Sequence, residues 1–259
     1  MEIRVDNLIA QRENISRSRA QVLIKEGKVE VEGKVVSKPS FLVEENALVK
    51  VNFTENYVSR GAYKLKKALE MFDVSVKDKI VLDMGASTGG FTQVALEHGA
   101  KKVYSVDVGK GELDKTLSLN DRVVNMEDTD IRALTKSMVA DTEIVVGDLS
   151  FISLKHILPK VNDLLGKIEC ILLFKPQFEC GKEIARKSRG VVKDKTVHKN
   201  LLIDFIEEIK SYDFIISNIT FSPIKGKSGN IEYLLHLNGK HDKNLDIQKI
   251  VNDAFTLAD

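Results

Sequence analysis

Beyond residue 60 the chain alternates between short apolar runs and stretches in which apolar positions recur every three or four residues. Runs at 79–84, 102–107, 122–126, 143–147 and 168–174 have the length and near-continuous apolar character of strands covered on both faces. Helical patterns fall between them, such as Phe91, Val94, Ala95 and His98, closed by Gly99. Two more strand-like runs, 213–221 and 230–237, follow each other directly. An amphipathic helix at 61–72, with Leu65, Ala68, Leu69 and Phe72 on one face, precedes the first strand, and a helix around 245–256 closes the chain. Five strand–helix units and a terminal hairpin predict an α/β fold, a doubly wound, mostly parallel, seven-stranded sheet with an antiparallel edge strand.

The first fifty-odd residues have a different rhythm. Leu8, Ile9 and Arg12 suggest a short helix, and Asn14-Ile15 turns into a second, for which Ser16 is the expected N-cap. Ala20, Leu23 and Ile24 share a helical face, and Gly27 supplies the stop. Val29 and Val31, a Glu32-Gly33 turn, Val35-Val36, and then Leu48, Val49, Val51 and Phe53 predict a small sheet. The organisation expected is an α+β domain over 1–53, a linker at 54–60 and a larger domain over 61–259.

Composition narrows the class. With 259 residues, 43% hydrophobic and 30% charged, the chain can bury a core, which excludes wholesale disorder. No apolar run approaches the roughly 20 residues a membrane span needs, and Met1 to Asp6 lacks the apolar region of a signal peptide. Cys170 and Cys180 form neither a disulfide framework nor a zinc-ligand spacing, and the five histidines are scattered, so no metal is expected. These features read as a soluble, cytoplasmic protein.

Charge balances overall, 39 Lys+Arg against 38 Asp+Glu, but not locally. Between Arg12 and Lys28 lie five cations (Arg12, Arg17, Arg19, Lys25, Lys28) and only two acids, Glu13 and Glu26. Arg17 and Arg19 occupy the first turn of a helix, where the dipole disfavours cations; a phosphate ligand explains them better than a structural role does. Arg4-Val5-Asp6, then Ser16-Arg17-Ser18-Arg19-Ala20, then Ile24 to Val35 resemble the small S-four RNA-binding domain, over residues 2 to about 51. The resemblance implies RNA contacts from Arg4, Ser16, Arg17, Arg19, Lys25 and Lys28.

The first strand of the larger domain runs into Asp83-Met84-Gly85-Ala86-Ser87-Thr88-Gly89-Gly90-Phe91. A glycine-rich turn between strand and helix lets a ligand approach the backbone. Neither the dinucleotide pattern G-x-G-x-x-G nor the phosphate-loop pattern G-x-x-x-x-G-K-[ST] is present. An acid leads instead, which suits a ligand with an ammonium-bearing tail. The second strand ends at Asp107, 24 residues after Asp83, where a carboxylate can accept both ribose hydroxyls of a nucleoside. This arrangement resembles the S-adenosylmethionine site of Rossmann-like methyltransferases. The resemblance implies cofactor contacts over Asp83, Gly85 and Ser87 to Phe91 and at Asp107, with Asp128 and Asp130 near the adenine and Asp148 at the methyl end.

Asp148 closes the fourth strand and Lys175 the fifth, both at carboxyl ends, where open α/β sheets bind ligands. Pro176 has no amide donor and stops further ladder pairing, fixing where Lys175 projects. Lys64, Asp148, Lys175 and Glu232 match, in order, the Lys-Asp-Lys-Glu tetrad of FtsJ-related ribose 2′-O-methyltransferases. The segments Arg60 to Leu65, Gly147 to Leu154, Leu173 to Glu179 and Ser222 to Glu232 resemble the TlyA family, which joins an S-four domain to an FtsJ-like domain and is often catalogued as haemolysin. The resemblance runs from residue 2 to about 238 and extends the RNA-contacting set to Arg60. In such a site Lys175 either orients the hydroxyl and stabilises the developing alkoxide or, if neighbouring cations depress its pKa, accepts the proton. Base N-methyltransferases of this fold carry an Asn/Asp-Pro-Pro-aromatic motif here; Asp148-Leu149-Ser150-Phe151 has no proline.

Lys182 to Lys199 holds seven cations against Glu183 and Asp194. Lys182, Arg186, Lys187 and Arg189 are expected to clamp an RNA backbone, in a loop that Gly181 and Gly190 let move. The expectation is thus an S-adenosylmethionine-dependent ribose 2′-O-methyltransferase, with ribosomal RNA or ribosomal subunits as partner and, by resemblance, a cytidine as target. The rivals are a membrane-active haemolysin, which no signal or long apolar segment supports, and a non-catalytic RNA-binding module, which leaves the tetrad unexplained.

Overall fold

The computed structural model describes residues 2–13, 15, 17–52, 57–239 and 245–257, without the side chains of Arg19 and Leu257. The chain divides into two units, Met1–Asn56 and Tyr57–Asp259. Asn14, the Ser16 cap, Phe53 and residues 54–56 of the expected linker lie outside the described residues.

The first unit runs β1 (Glu2–Arg4), α1 (Val5–Arg12), α2 (Arg17–Lys25), β2 (Val29–Val31), β3 (Lys34–Val35), β4 (Leu42–Glu44) and β5 (Val49–Val51). The apolar faces read from the sequence meet in one core, in which Val5, Leu8, Ile9, Ala20, Leu23, Ile24 and Val29 are buried. Glu32 (φ 49°) and Gly33 (φ 73°) both take left-handed backbone in the β2–β3 hairpin, the geometry that matches a tight turn to strand twist. A pairing not foreseen joins β1 to β4, antiparallel, with Ile3 opposite Val43. Three-residue strands are too short for alternation to announce them.

The second unit runs α3 (Ala62–Phe72), β6 (Ile80–Met84), α4 (Gly90–Glu97), β7 (Lys102–Val106), α5 (Lys115–Ser118), β8 (Val123–Met126), α6 (Lys136–Val139), β9 (Ile144–Gly147), α7 (Leu158–Leu165) and β10 (Glu169–Phe174). It continues through α8 (Pro176–Glu179), α9 (Gly181–Lys187), α10 (Lys195–Ile209), β11 (Ile216–Phe221), β12 (Tyr233–Leu237) and α11 (Ile247–Leu257). Seven strands form one sheet in the order β11-β12-β10-β9-β6-β7-β8. Alternate β10 side chains feed opposite cores, with Leu172 and Phe174 against α7 and α10 and Ile171 and Leu173 against α3 and α4. The fold is the α/β class expected.

One detail differs. The antiparallel strand is β12, which lies inside the sheet between β10 and β11, and the edge strand is β11. All five β12 residues are buried, which a solvent-facing edge would not allow. The basic stretch also departs from a loop, since Gly181–Lys187 is helical, with no buried residue. The chain beyond it is pinned rather than free. Asn230 donates to the Gly190 carbonyl at 2.8 Å and accepts from the Val192 amide at 3.1 Å.

Register sets up the site. Met84 pairs with both Val106 and Gly147, and Phe174 pairs with Tyr233. The next residues on the parallel strands, Gly85, Asp107, Asp148 and Lys175, therefore emerge along one edge of the sheet. Because β12 runs the other way, the residue preceding it, Glu232, joins them there.

Candidate active site

The four tetrad positions form one continuous ion-pair chain. Lys64, on the first turns of α3, places Nζ 3.0 Å from Asp148 Oδ2 and 2.9 Å from Glu232 Oε2. Lys175 Nζ lies 2.6 Å from Asp148 Oδ1 and donates to Ser150 Oγ at 3.0 Å. Lys64, Lys175 and Glu232 are buried, and the Asp148 side chain is 19% exposed. Burial opposes the Lys64 charge, but Asp148 and Glu232 overcome it and hold that lysine above its ordinary value. Burial likewise opposes the Asp148 charge, and Lys64 and Lys175 overcome it, so its carboxyl is held below the usual range. An ammonium has three donors; ion pairing to Asp148 and the bond to Ser150 leave Lys175 one for a substrate oxygen.

Beside this chain opens a cleft of about 910 Å³ whose walls include Gly85, Ser87, Asp107, Asp130, Asp148, Phe151, Gln177, Phe178 and Lys182. Asp107 accepts from the amides of Ser87 (2.8 Å) and Gly109 (2.7 Å), so its carboxylate is oriented and each oxygen keeps a free lone pair. Gly85 is required: at φ 82°, an added Cβ would lie 3.0 Å from the Asp148 carbonyl oxygen. Ser87 (φ 47°) and Phe151 (φ 64°) adopt left-handed backbone at the cleft, and strain of that kind in non-glycine residues gathers at functional sites.

Other candidates sit elsewhere. Gly89, Gly90 and Phe91 serve packing: a Cβ on Gly89 would strike Leu113 and Leu117, one on Gly90 would strike Ser59, and Phe91 is core. Thr88 and Asp128 fall outside the cleft walls. Asp130 is in the wall, but it caps the Ile131–Ala133 turn and pairs with Arg132, which pulls its carboxyl down to about 2. Asp83 is fully buried beneath the glycine turn, where Thr92 donates to Oδ2 at 2.7 Å and, among the described residues, Oδ1 has no partner. Burial pushes this carboxyl up to about 7.

Of the expected RNA contacts in this unit, Arg60 is exposed and donates to the Lys225 carbonyl, Lys182 lines the cleft, and Arg186, Lys187 and Arg189 are exposed. In the first unit Arg17 and Lys25 are exposed, while Arg4 and Lys28 are half-buried.

Sequence reasoning passed over several residues that the geometry brings in. Phe151 is 92% exposed at the cleft mouth, 5.3 Å from the Phe178 ring. Gln177 donates to Glu232 Oε1 at 3.3 Å, and its own Oε1 is buried without a partner among the described residues. Glu179 accepts from Ser153 Oγ and the Leu154 amide, tying the loop that carries Phe151 to α8. The available signal was proximity in sequence, since each lies within four residues of Asp148 or Lys175.

Among the described residues, no group of three His, Cys, Asp or Glu side chains could hold a metal ion, and no helix is long and apolar enough to cross a membrane. The orphaned Asp83 oxygen, the glycine cradle at Gly85 and the oriented Asp107 carboxylate suit S-adenosylmethionine, which combines a cationic amino-acid tail with a ribose diol.

The chain is similar to known proteins over nearly its whole length. The FtsJ-like methyltransferase family matches residues 57–239, and the S4 domain matches residues 3–49. The chain is 37% identical to the Campylobacter jejuni 23S rRNA (cytidine-2′-O)-methyltransferase TlyA, over 90% of this chain and 98% of that one. It is 39% identical to the Mycobacterium tuberculosis 16S/23S rRNA (cytidine-2′-O)-methyltransferase TlyA, over 93% and 92%. A solved structure from Streptococcus thermophilus, described as a candidate hemolysin, superposes with a TM-score of 0.77 at 36% identity, over 99% of this chain and 96% of that one. With an S4 domain ahead of it and the tetrad gathered at one sheet edge, this chain belongs to the FtsJ-like family of S-adenosylmethionine-dependent methyltransferases.

Proposed function

We propose that the protein methylates the ribose 2′-hydroxyl of a cytidine in large-subunit ribosomal RNA. One observation carries the reading: the Lys64–Asp148–Lys175–Glu232 ion-pair chain stands at the same sheet edge as the Gly85–Asp107 cleft. Residues 1–53 and the basic face of 182–189 hold RNA, residues 61–259 perform the chemistry, 54–60 join them, and the reaction belongs in the cytoplasm with the ribosomal subunits.

Asp107 takes the ribose hydroxyls of the cofactor, Gly85 admits it to the backbone, and Asp83 sets the charge beneath its amino-acid end. When bound, S-adenosylmethionine supplies an electrophilic methyl group on a sulfonium. Lys175 donates its remaining N–H to the 2′-oxygen and stabilises the negative charge that gathers there as that oxygen attacks in line, gives up its proton to water and takes the methyl group from sulfur, which leaves as the neutral thioether. Asp148 fixes Lys175 from one side, and Lys64 and Glu232 fix Asp148 from the other. The exposed Phe151 ring offers a face on which an unstacked base can rest, as single-stranded RNA recognition requires.

The test is methylation of purified large subunits lacking the modification, with isotopically labelled cofactor and mass-spectrometric mapping of the product nucleoside. Label in 2′-O-methylcytidine supports the reading. Label on a base, or in no RNA, overturns it.

A further inference from the structure

The N-terminal unit buries one charge that methyl transfer leaves unexplained. Asp6, in α1, is 0% exposed. Arg4 donates to it through Nε (3.0 Å) and Nη2 (2.9 Å), Gln21 through Nε2 (2.8 Å) and Arg17 through Nε (3.2 Å). The bidentate bond from Arg4 holds the Asp6 carboxyl well below the usual carboxylate range against the opposing effect of burial, with Gln21 and Arg17 adding to it.

The two arginines differ in what they have left to offer. Arg4 gives Asp6 one whole edge of its guanidinium, and its side chain is 39% exposed. Among the described residues Arg17 commits only its Nε–H, and it stays 51% exposed. Of five guanidinium N–H donors, Arg17 therefore presents those of both Nη groups outward, a fork that matches two oxygens of one phosphate. An exposed arginine ordinarily samples many rotamers, and ordering it on binding costs affinity. Tethering Nε to a buried carboxylate removes most of that freedom beforehand.

We propose that Asp6 is a positioning residue for RNA binding: it aims the Arg17 fork at a single backbone phosphate, with Arg4 as the buttress that keeps the carboxylate in place. The proposal rests on the reading that this unit holds RNA. One carboxylate against two guanidiniums leaves a single net positive charge, matched to one phosphodiester.

Charge counting predicts the opposite sign for the decisive variant. Asp6→Asn deletes a negative charge beside two cations, so electrostatics alone makes RNA bind tighter and with steeper salt dependence. Positioning makes it bind weaker. The experiment measures binding of the full-length protein to a labelled single-stranded RNA and to purified large ribosomal subunits across a salt series. Wild type is compared with Asp6→Asn, Arg17→Ala and the double variant, with S-adenosylmethionine affinity as the control.

Asp6→Asn is expected to weaken RNA binding roughly tenfold and to flatten the log–log salt slope by about 0.7, one phosphate contact. Arg17→Ala should do the same, the double variant should be no worse than Arg17→Ala, and cofactor affinity should not move. Tighter binding by Asp6→Asn overturns the proposal. A full further loss when Asp6→Asn is added to Arg17→Ala also overturns it, because Asp6 would then act through something other than Arg17. Unchanged affinity in Arg17→Ala overturns instead the reading that this arginine holds RNA. Arg17→Lys guards against a folding defect in Asp6→Asn. It keeps an exposed positive charge but loses the tethered fork, so binding at the wild-type level would sink the proposal independently.

Discussion

Lys64 and Glu232 are separated by 168 positions in sequence, yet their side chains meet at 2.9 Å. Lys64 stands on the helix that precedes the sheet, and Glu232 is the residue immediately before the antiparallel strand β12. Their contact is what closes the ion-pair chain behind Lys175.

Removing one member of that pair leaves the other buried without compensation. Lys64→Ala should lower unfolding free energy by about 3–5 kcal/mol and abolish methylation, since Glu232 then loses its cationic partner and Asp148 keeps only Lys175. Denaturant titration checks the first outcome and product mapping the second. The Lys64 pKa is raised above its unfolded value, so the stability it contributes is complete below pH 10.5 and fades as pH rises further. Wild type should therefore lose more stability than Lys64→Ala in strongly alkaline buffer.

Lys175 separates chemistry from binding. Lys175→Ala should cut the single-turnover rate by roughly 10²–10⁴ while cofactor and RNA affinities stay within about threefold. Lys175→Arg discriminates between the two roles a lysine can play. A guanidinium retains positive charge and cannot take up a proton. The Arg variant is expected to fail as well, since a guanidinium is also shaped differently; retained activity would assign Lys175 to electrostatic stabilisation.

The buried Asp83 predicts a pH signature of definite sign. Its folded pKa, about 7, stands above the ordinary 3.8 because burial disfavours the ionised form. Between those values the unfolded chain has shed the proton and the folded chain has kept it. The free protein should therefore lose stability as pH rises from about 4 to about 7 and level off beyond. Asp83→Asn should remove that slope. If the carboxylate also faces the ammonium of the cofactor, S-adenosylmethionine affinity should rise through the same window in wild type and stay flat in the variant. Calorimetry at several pH values measures both.

Phe151 makes a prediction about RNA alone. The ring is almost wholly exposed, so Phe151→Ala should leave thermal stability close to that of the wild type. If a base stacks on it, RNA binding should weaken by about 1–3 kcal/mol, with cofactor affinity untouched. Equal RNA affinity in the variant removes Phe151 from the binding surface.

The strand–helix alternation was legible because parallel strands covered on both faces must be apolar along nearly their whole length, as β9 (Ile144–Gly147) and β10 beyond Glu169 are. The tetrad was legible through resemblance, and register explains why its members meet. What escaped the sequence was decided by pairing partners far along the chain. The inward position of β12 depends on its pairing with β10 on one side and β11 on the other, which its own apolar run does not specify. Gly89 and Gly90 showed the limit of motif reading: their lack of a side chain answers to Leu113, Leu117 and Ser59 rather than to the cleft wall. Asp6 carries no role that the sequence alone assigns, and only the convergence of Arg4, Arg17 and Gln21 gives it one.

The insertion of β12 between β10 and β11 has a consequence for the order of synthesis. When β11 leaves the ribosome, the strand that will join it to the sheet does not yet exist, and the cleft can have three of its four ionic residues but not Glu232. Lys64 would meanwhile share Asp148 with Lys175. The catalytic arrangement is therefore a property of the chain only once translation has passed Leu237. A nascent chain can therefore complete its N-terminal unit well before the four residues of the ion-pair chain can meet.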